Sequence, residues 1–363
     1  MRPLAALAVA SLAVGCCRES GSGAPSPTSA APLPPAALPA FSDPPSERPW
    51  ACRTVLHEDA RVVRERVCFR SGSLQIVGQV CRPRRDGRFP VVVYAHASLF
   101  GLGPEWQGGA CQAIAADGYV VVMPSFRGQD GSDGKVEGCL GEVDDAVAMH
   151  DMALAQPYAD GRRTAWVGAS HGGCVALRAL ARGTEARAAA ALFPATDWTA
   201  LYTSWSERAA QPGPANLTKL YKDGAAELVR SFGGTPATHP AEYQRRSVSA
   251  ADLAKNPTPL LLAHGAADPL VPVAGTCKLA ASLEGVSPFH LTARGETSRE
   301  IVAGCDKLTP SEAGADLLRT KARVLGLYDG GVHDLTTPVG QRMARDAWAF
   351  LKPRLDAAVP GAP

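Results

Sequence analysis

Short apolar runs recur along the chain, each stopped by glycine, proline or a polar turn. They cover residues 91–95, 119–123, 165–167, 188–193, 260–263 and 324–328. Such runs lack polar alternation, so they predict strands buried on both faces, as in a parallel sheet. Helical stretches separate them, over about 106–117, 140–155, 172–182, 273–284 and 339–352. In the last, Val339, Met343, Ala347, Phe350 and Leu351 share one face at helical spacing. Upstream, residues 67–70 and 74–81 flank Ser71-Gly72-Ser73, which predicts a β-hairpin. A hairpin followed by repeated βα units predicts one α/β domain over residues 50–357, with no internal repeat.

The N-terminus has a different pattern. Arg2 precedes an apolar run over residues 4–14, too short for a bilayer, which needs about twenty residues. It suits the apolar centre of a signal peptide over residues 1–16. Ala13-Val14-Gly15-Cys16 is similar to a bacterial lipobox, which would make Cys16 a lipidation site, although leucine is usual where Ala13 stands. The alternative is a plain secretory signal. Either way the chain is expected to be exported, as a cell-envelope lipoprotein or a periplasmic or secreted protein. Residues 17–49 are Pro, Ala, Ser and Gly with few large apolar side chains, and read as a disordered tether.

Composition narrows the function. The 363 residues are 46% hydrophobic, and 37 basic residues nearly balance 35 acidic ones. No basic stripe points to nucleic acid. The only expected membrane contact is the N-terminal lipid anchor. The oligomeric state stays open. Apart from Cys16 and Cys17, eight of the ten cysteines remain, at 52, 68, 81, 111, 139, 174, 277 and 305. An even number in an exported chain suggests disulfides. Without a Cys-x-x-Cys pair or histidines at zinc spacing, neither a metal nor a cofactor is expected. Cys174 reads equally as a buried free thiol.

Candidate chemistry begins at Gly168-Ala169-Ser170-His171-Gly172-Gly173, between an apolar run and a helix. Gly-x-Ser-x-Gly in that context lifts a serine hydroxyl out of a strained turn. The N–H of His171 then opens the helix, where it can donate to an oxyanion. The His171 side chain reads as a pocket wall rather than a base. A serine nucleophile needs a base, and the base an orienting acid. Asp268 follows the apolar run 260–263 within His264-Gly265-Ala266-Ala267-Asp268, and His333 follows the run 324–328. Asp334 competes with Asp268 but adjoins His333 in sequence, which makes its reach to the ring poor. His264 reads as structural, and His57, His150, His239 and His290 as surface or local hydrogen-bonding residues.

These segments resemble an α/β-hydrolase, specifically the catalytic domain of the prolyl oligopeptidase family, with dienelactone hydrolases as near relatives. The likeness rests on Gly168-Ala169-Ser170-His171-Gly172-Gly173, on Pro124-Ser125-Phe126-Arg127-Gly128, on Phe232-Gly233-Gly234, and on the acid loop with Val271-Pro272. It implies a mostly parallel eight-stranded sheet with helices on both faces. It also implies a small lid, here over about 197–250, where Trp198, Tyr202, Trp205 and Tyr221 either shape an acyl pocket or pack the lid down. The implied activity is hydrolysis of a small ester or short peptide by Ser170, His333 and Asp268. Esterase and peptidase both remain open, and a non-catalytic binding protein is the lesser alternative.

Three departures stand out. The short stretch between tether and hairpin cannot hold the β-propeller that often precedes this domain. His96-Ala97-Ser98 replaces the family's His-Gly-Gly, so the second oxyanion donor is the N–H of Ala97 or Ser98. About 65 residues separate Asp268 from His333, more than the family usually shows. The surplus, about 286–322, is poor in apolar residues and contains Cys305. A bridge from Cys305 to Cys277, beside the acid loop, is expected to pin it.

Overall fold

The computed structural model describes residues 51–310 and 314–358. The signal segment, Cys16 and the tether lie outside the described residues.

Among the described residues eleven strands form one sheet. They are β1 (Cys52–Glu58), β2 (Val62–Ser71), β3 (Leu74–Pro83), β4 (Phe89–Ala95), β5 (Val120–Pro124), β6 (Ala159–Ala169), β7 (Ala188–Leu192), β8 (Leu260–Gly265), β9 (Val286–Leu291), β10 (Thr297–Ser298) and β11 (Arg323–Tyr328). Their spatial order is β1-β2-β3-β5-β4-β6-β7-β8-β11-β9-β10. From β5 across to β9 every neighbouring pair is parallel, and the pairs outside that stretch are antiparallel.

The apolar runs became strands because each side of the sheet is covered. Val91, Val93 and Ala95 of β4 join one core cluster, and Val92 and Tyr94 join the other. The first cluster is roofed by α2 (Gly141–Leu154), α3 (His171–Ala181) and α8 (Val273–Ala281). The second is roofed by α1 (Gly109–Ala116), α9 (Gly314–Thr320) and α10 (Pro338–Asp356). A period of two with both faces buried leaves no polar alternation to read. Between β7 and β8 lie four helices: α4 (Trp198–Ala210), α5 (Ala215–Phe232), α6 (Pro240–Gln244) and α7 (Ala250–Ala254).

The expectation of eight strands is corrected to eleven. The eight expected strands are present in the middle, and the extra ones extend the two edges. β1 is largely exposed and carried no burial pattern to detect. β9 and β10 arise in the segment after α8, which looked too polar to pack. Instead β9 pairs in parallel with β11 and buries Phe289 in the core.

Candidate active site

β6 ends at Ala169 and α3 begins at His171, so the reversal falls on Ser170. Its φ of 53° and ψ of −119° are unusual for a residue with a side chain. Glycines make the turn sterically possible. A Cβ on Gly168 would lie 2.1 Å from the Gly172 carbonyl oxygen, and one on Gly172 would lie 2.0 Å from the Ala95 carbonyl oxygen. The Ser170 N–H donates to the Leu192 carbonyl at 2.9 Å, which ties the turn to β7.

The two other candidate residues converge on Ser170 from the ends of β8 and β11. His333 Nε2 lies 2.9 Å from Ser170 Oγ, and His333 Nδ1 lies 2.7 Å from Asp268 Oδ2. Nδ1–H therefore donates to the carboxylate, and Nε2 is left to accept from the hydroxyl. Asp268 Oδ1 accepts the N–H groups of Leu270 and Val271, at 2.8 and 2.9 Å. Burial alone would push this carboxyl up, but the His333 charge and the hydrogen bonds from His264 and His333 outweigh it. The group is held well below the usual carboxylate range. Asp334 is turned elsewhere: its Oδ1 accepts the N–H and hydroxyl of Thr336 at 2.7 Å. The His333 ring lies against Phe193, with centroids 4.4 Å apart.

No side chain caps the N-terminus of α3, where the His171 N–H lies. The close approach of Gly172 to Ala95 and His96 brings the segment carrying Ala97 and Ser98 beside the same helix end. The His171 side chain departs from the sequence expectation. It is buried, not a pocket wall: Nε2 accepts the Cys139 N–H at 3.0 Å, and the ring meets Phe126 and Trp198 edge-on. Burial pushes its pKa down. Burial, with His171 nearby, pushes His96 down to about 3, so this histidine stays uncharged against Phe126.

The surroundings are cross-braced. Cys174 is bonded to Cys139, so the free-thiol reading is corrected; three further bridges join Cys52–Cys68, Cys81–Cys111 and Cys277–Cys305. The loop before α2 is held by Glu142, whose carboxylate accepts the N–H groups of Glu137, Gly138 and Leu140. Arg127 pairs with Asp145 at 2.8 Å and Glu137 at 2.9 Å. The insert aromatics mostly pack: Trp198 is buried against Phe232, Trp205 Nε1–H donates to the Leu270 carbonyl, and the Tyr221 hydroxyl donates to the Pro269 carbonyl. The last two bonds fasten the insert to the acid loop.

Sequence reading missed the contact that joins the acid and histidine loops. A Cβ on Gly265 would lie 2.3 Å from the Gly331 carbonyl oxygen, and the Ala267 N–H donates to that oxygen at 3.0 Å. Two isolated glycines far apart in sequence carry no joint signal. His290, treated as a surface or local residue, proves buried. Among the described residues no group of three or more His, Cys, Asp or Glu could hold a metal ion, and no helix is long and apolar enough to cross a membrane.

The chain resembles known proteins in sequence and in fold. A model described as "Prolyl oligopeptidase family" matches residues 107–299. The chain is 26% identical over 206 residues to "Uncharacterized peptidase YtmA" of Bacillus subtilis, covering 56% of this chain and 72% of that protein. It is 28% identical over 167 residues to "Probable dipeptidyl-aminopeptidase B" of Aspergillus oryzae, covering 44% of this chain but 16% of that one. Among solved structures, Pyrococcus horikoshii acylaminoacyl peptidase superposes with a TM-score of 0.57 at 17% identity, over 84% of this chain and 43% of its own. Acetyl xylan esterase 1 from Thermoanaerobacterium superposes with a TM-score of 0.51 at 15% identity, over 82% of this chain and 87% of its own. The chain thus spans less than half of the acylaminoacyl peptidase and about a sixth of the dipeptidyl-aminopeptidase.

Proposed function

The chain belongs to the prolyl oligopeptidase family and is a serine hydrolase with an α/β-hydrolase fold, and from that premise we propose that it cleaves a small ester or short peptide through a Ser170–His333–Asp268 triad. One observation carries the reading: the unbroken chain from Ser170 Oγ to His333, at 2.9 Å, and on to Asp268, at 2.7 Å.

In this reading Ser170 Oγ attacks the acyl carbonyl carbon while His333 Nε2 takes the hydroxyl proton. Asp268, ionised throughout, stabilises the resulting imidazolium and fixes its tautomer. The carbonyl oxygen becomes an oxyanion, held by the His171 N–H and the N–H of Ala97 or Ser98. His333 returns the proton to the departing alkoxide or amine, which leaves an ester on Ser170. Water, losing a proton to the same nitrogen, attacks that ester; the bond to Ser170 Oγ breaks, Oγ takes the proton back from His333, and the acid is released. The catalytic domain is residues 50–357, with the helices of about 197–250 as its lid. We propose export as well, by the signal over residues 1–16 and with lipidation at Cys16. Four disulfides support it, because such bridges persist in oxidising compartments.

A fluorophosphonate probe and paired substrates, p-nitrophenyl esters against peptidyl p-nitroanilides, test the proposal. Wild type is expected to be labelled at Ser170 and to turn over at least one substrate class. Ser170→Ala is expected to lose labelling and about 10⁴-fold or more in kcat. Equal labelling of Ser170→Ala would sink the triad. The preferred substrate class separates esterase from peptidase.

A further inference from the structure

Between the loops that carry Asp268 and His333 lies the segment that begins with β9, and it grips both. On the acid side, Cys305 is bonded to Cys277 of α8, the helix that follows the acid loop, and Gly304 abuts Ala274 of that helix. On the histidine side, β9 runs parallel to β11 with Leu291 opposite Tyr328, and the Asp329 N–H donates to the Leu291 carbonyl at 2.9 Å. Asp329 stands four residues before His333.

The side chains add a second link. His290 of β9 is 2% exposed. Its Nε2 lies 2.7 Å from Asp329 Oδ1 and its Nδ1 lies 2.9 Å from the Glu300 carbonyl oxygen. A carboxylate and a carbonyl are both acceptors, so each ring nitrogen faces a group that an N–H can donate to. Asp329 is therefore held by β9 through both its backbone and its side chain, at the point where β11 gives way to the histidine loop. Gly330 and Gly331 follow and offer little stiffness of their own.

We propose that His290, acting through Asp329, is a positioning residue for His333: it fixes where the histidine loop leaves the sheet, and so where the imidazole meets Ser170. The inference rests on the reading of His333 as the base. A misplacement of about 1 Å can cost a factor of about 10² in rate, so loosening this anchor should lower kcat and leave substrate binding nearly alone.

The test uses the full chain, with kcat and KM on p-nitrophenyl acetate expressed per fluorophosphonate-labelled site. His290→Phe removes both donors and keeps a buried ring. Asp329→Ala changes a side chain that is 38% exposed, so it carries the test if the first variant fails to fold. Both are expected to lower kcat per labelled site by about tenfold to a hundredfold with KM little changed. The double variant should be no worse than the poorer single one. Asp329→Asn, which keeps an oxygen for the ring, should restore most of the rate. Unchanged kcat per labelled site in Asp329→Ala overturns the inference, as do multiplying effects in the double variant. A smaller labelled fraction with normal kcat per site means a structural role alone and overturns it too. His333→Ala separates the two ideas. An inactive His333→Ala beside unimpaired His290→Phe and Asp329→Ala overturns only the positioning role, whereas a fully active His333→Ala overturns the base assignment and this inference with it.

Discussion

Asp268 is buried, yet it remains ionised because each of its oxygens meets donors: Oδ2 faces His333, and Oδ1 takes two backbone N–H groups. Asp334, one residue after His333, instead accepts from Thr336. Asp268→Asn keeps the shape but turns an amide toward the His333 ring and favours the wrong tautomer. We expect kcat to fall by about 10⁴-fold, the size of the loss in the chymotrypsin case, and Asp334→Asn to stay within a few-fold of wild type. Steady-state rates on one ester decide this, and a dead Asp334→Asn beside an active Asp268→Asn would reverse the assignment. At this scale the sequence already marked the three residues that converge. Ser170 announces itself by the glycines around it, and Asp268 and His333 each follow an apolar run in the right chain order. His290 was not legible, because its two acceptors come from Glu300 and Asp329 and meet only after β9 has joined β11.

Among the elements, the ends of β8 and β11 have to touch for Asp268 and His333 to meet. They do so at Gly265 and Gly331, where the backbones leave no room for a methyl group. Gly265→Ala would force the acid loop away from the histidine loop. We expect kcat to fall by about tenfold or more while circular dichroism stays native. Gly109→Ala, at the start of α1 where an added Cβ meets nothing within 4 Å, serves as the control and should be silent. A Gly265→Ala enzyme as active as that control would show that the close approach is dispensable. The strands themselves were readable as apolar runs. β1 was not, since most of its side chains face solvent. Nor was β9, whose run is broken by Ser287, Pro288 and His290 and is stabilised as a strand by its pairing with β11.

Among the described residues the sheet is stapled at four places, and one staple closes the segment between the loops that carry Asp268 and His333. The Cys277–Cys305 bridge spans a sequence separation of 28. Loop-closure entropy assigns such a bridge about 3–4 kcal/mol. The double variant Cys277→Ser/Cys305→Ser should therefore lose roughly that much unfolding free energy, seen as a lower urea midpoint, with a somewhat steeper slope because the unfolded chain without the bridge is less compact. An unchanged midpoint would mean that β9 and α9 hold the segment without it. By itself the sequence determined what depends on local order along the chain: the alternation of buried strands with helices, the strained serine turn, and the order serine, acid, histidine. Tertiary structure alone decided which cysteines pair with Cys52, Cys81 and Cys174, that His171 lies inside rather than on a wall, that the sheet runs on past β11, and that His290 meets Asp329. Each depends on groups far apart in the chain being brought within bonding distance, and neither composition nor spacing carries that information.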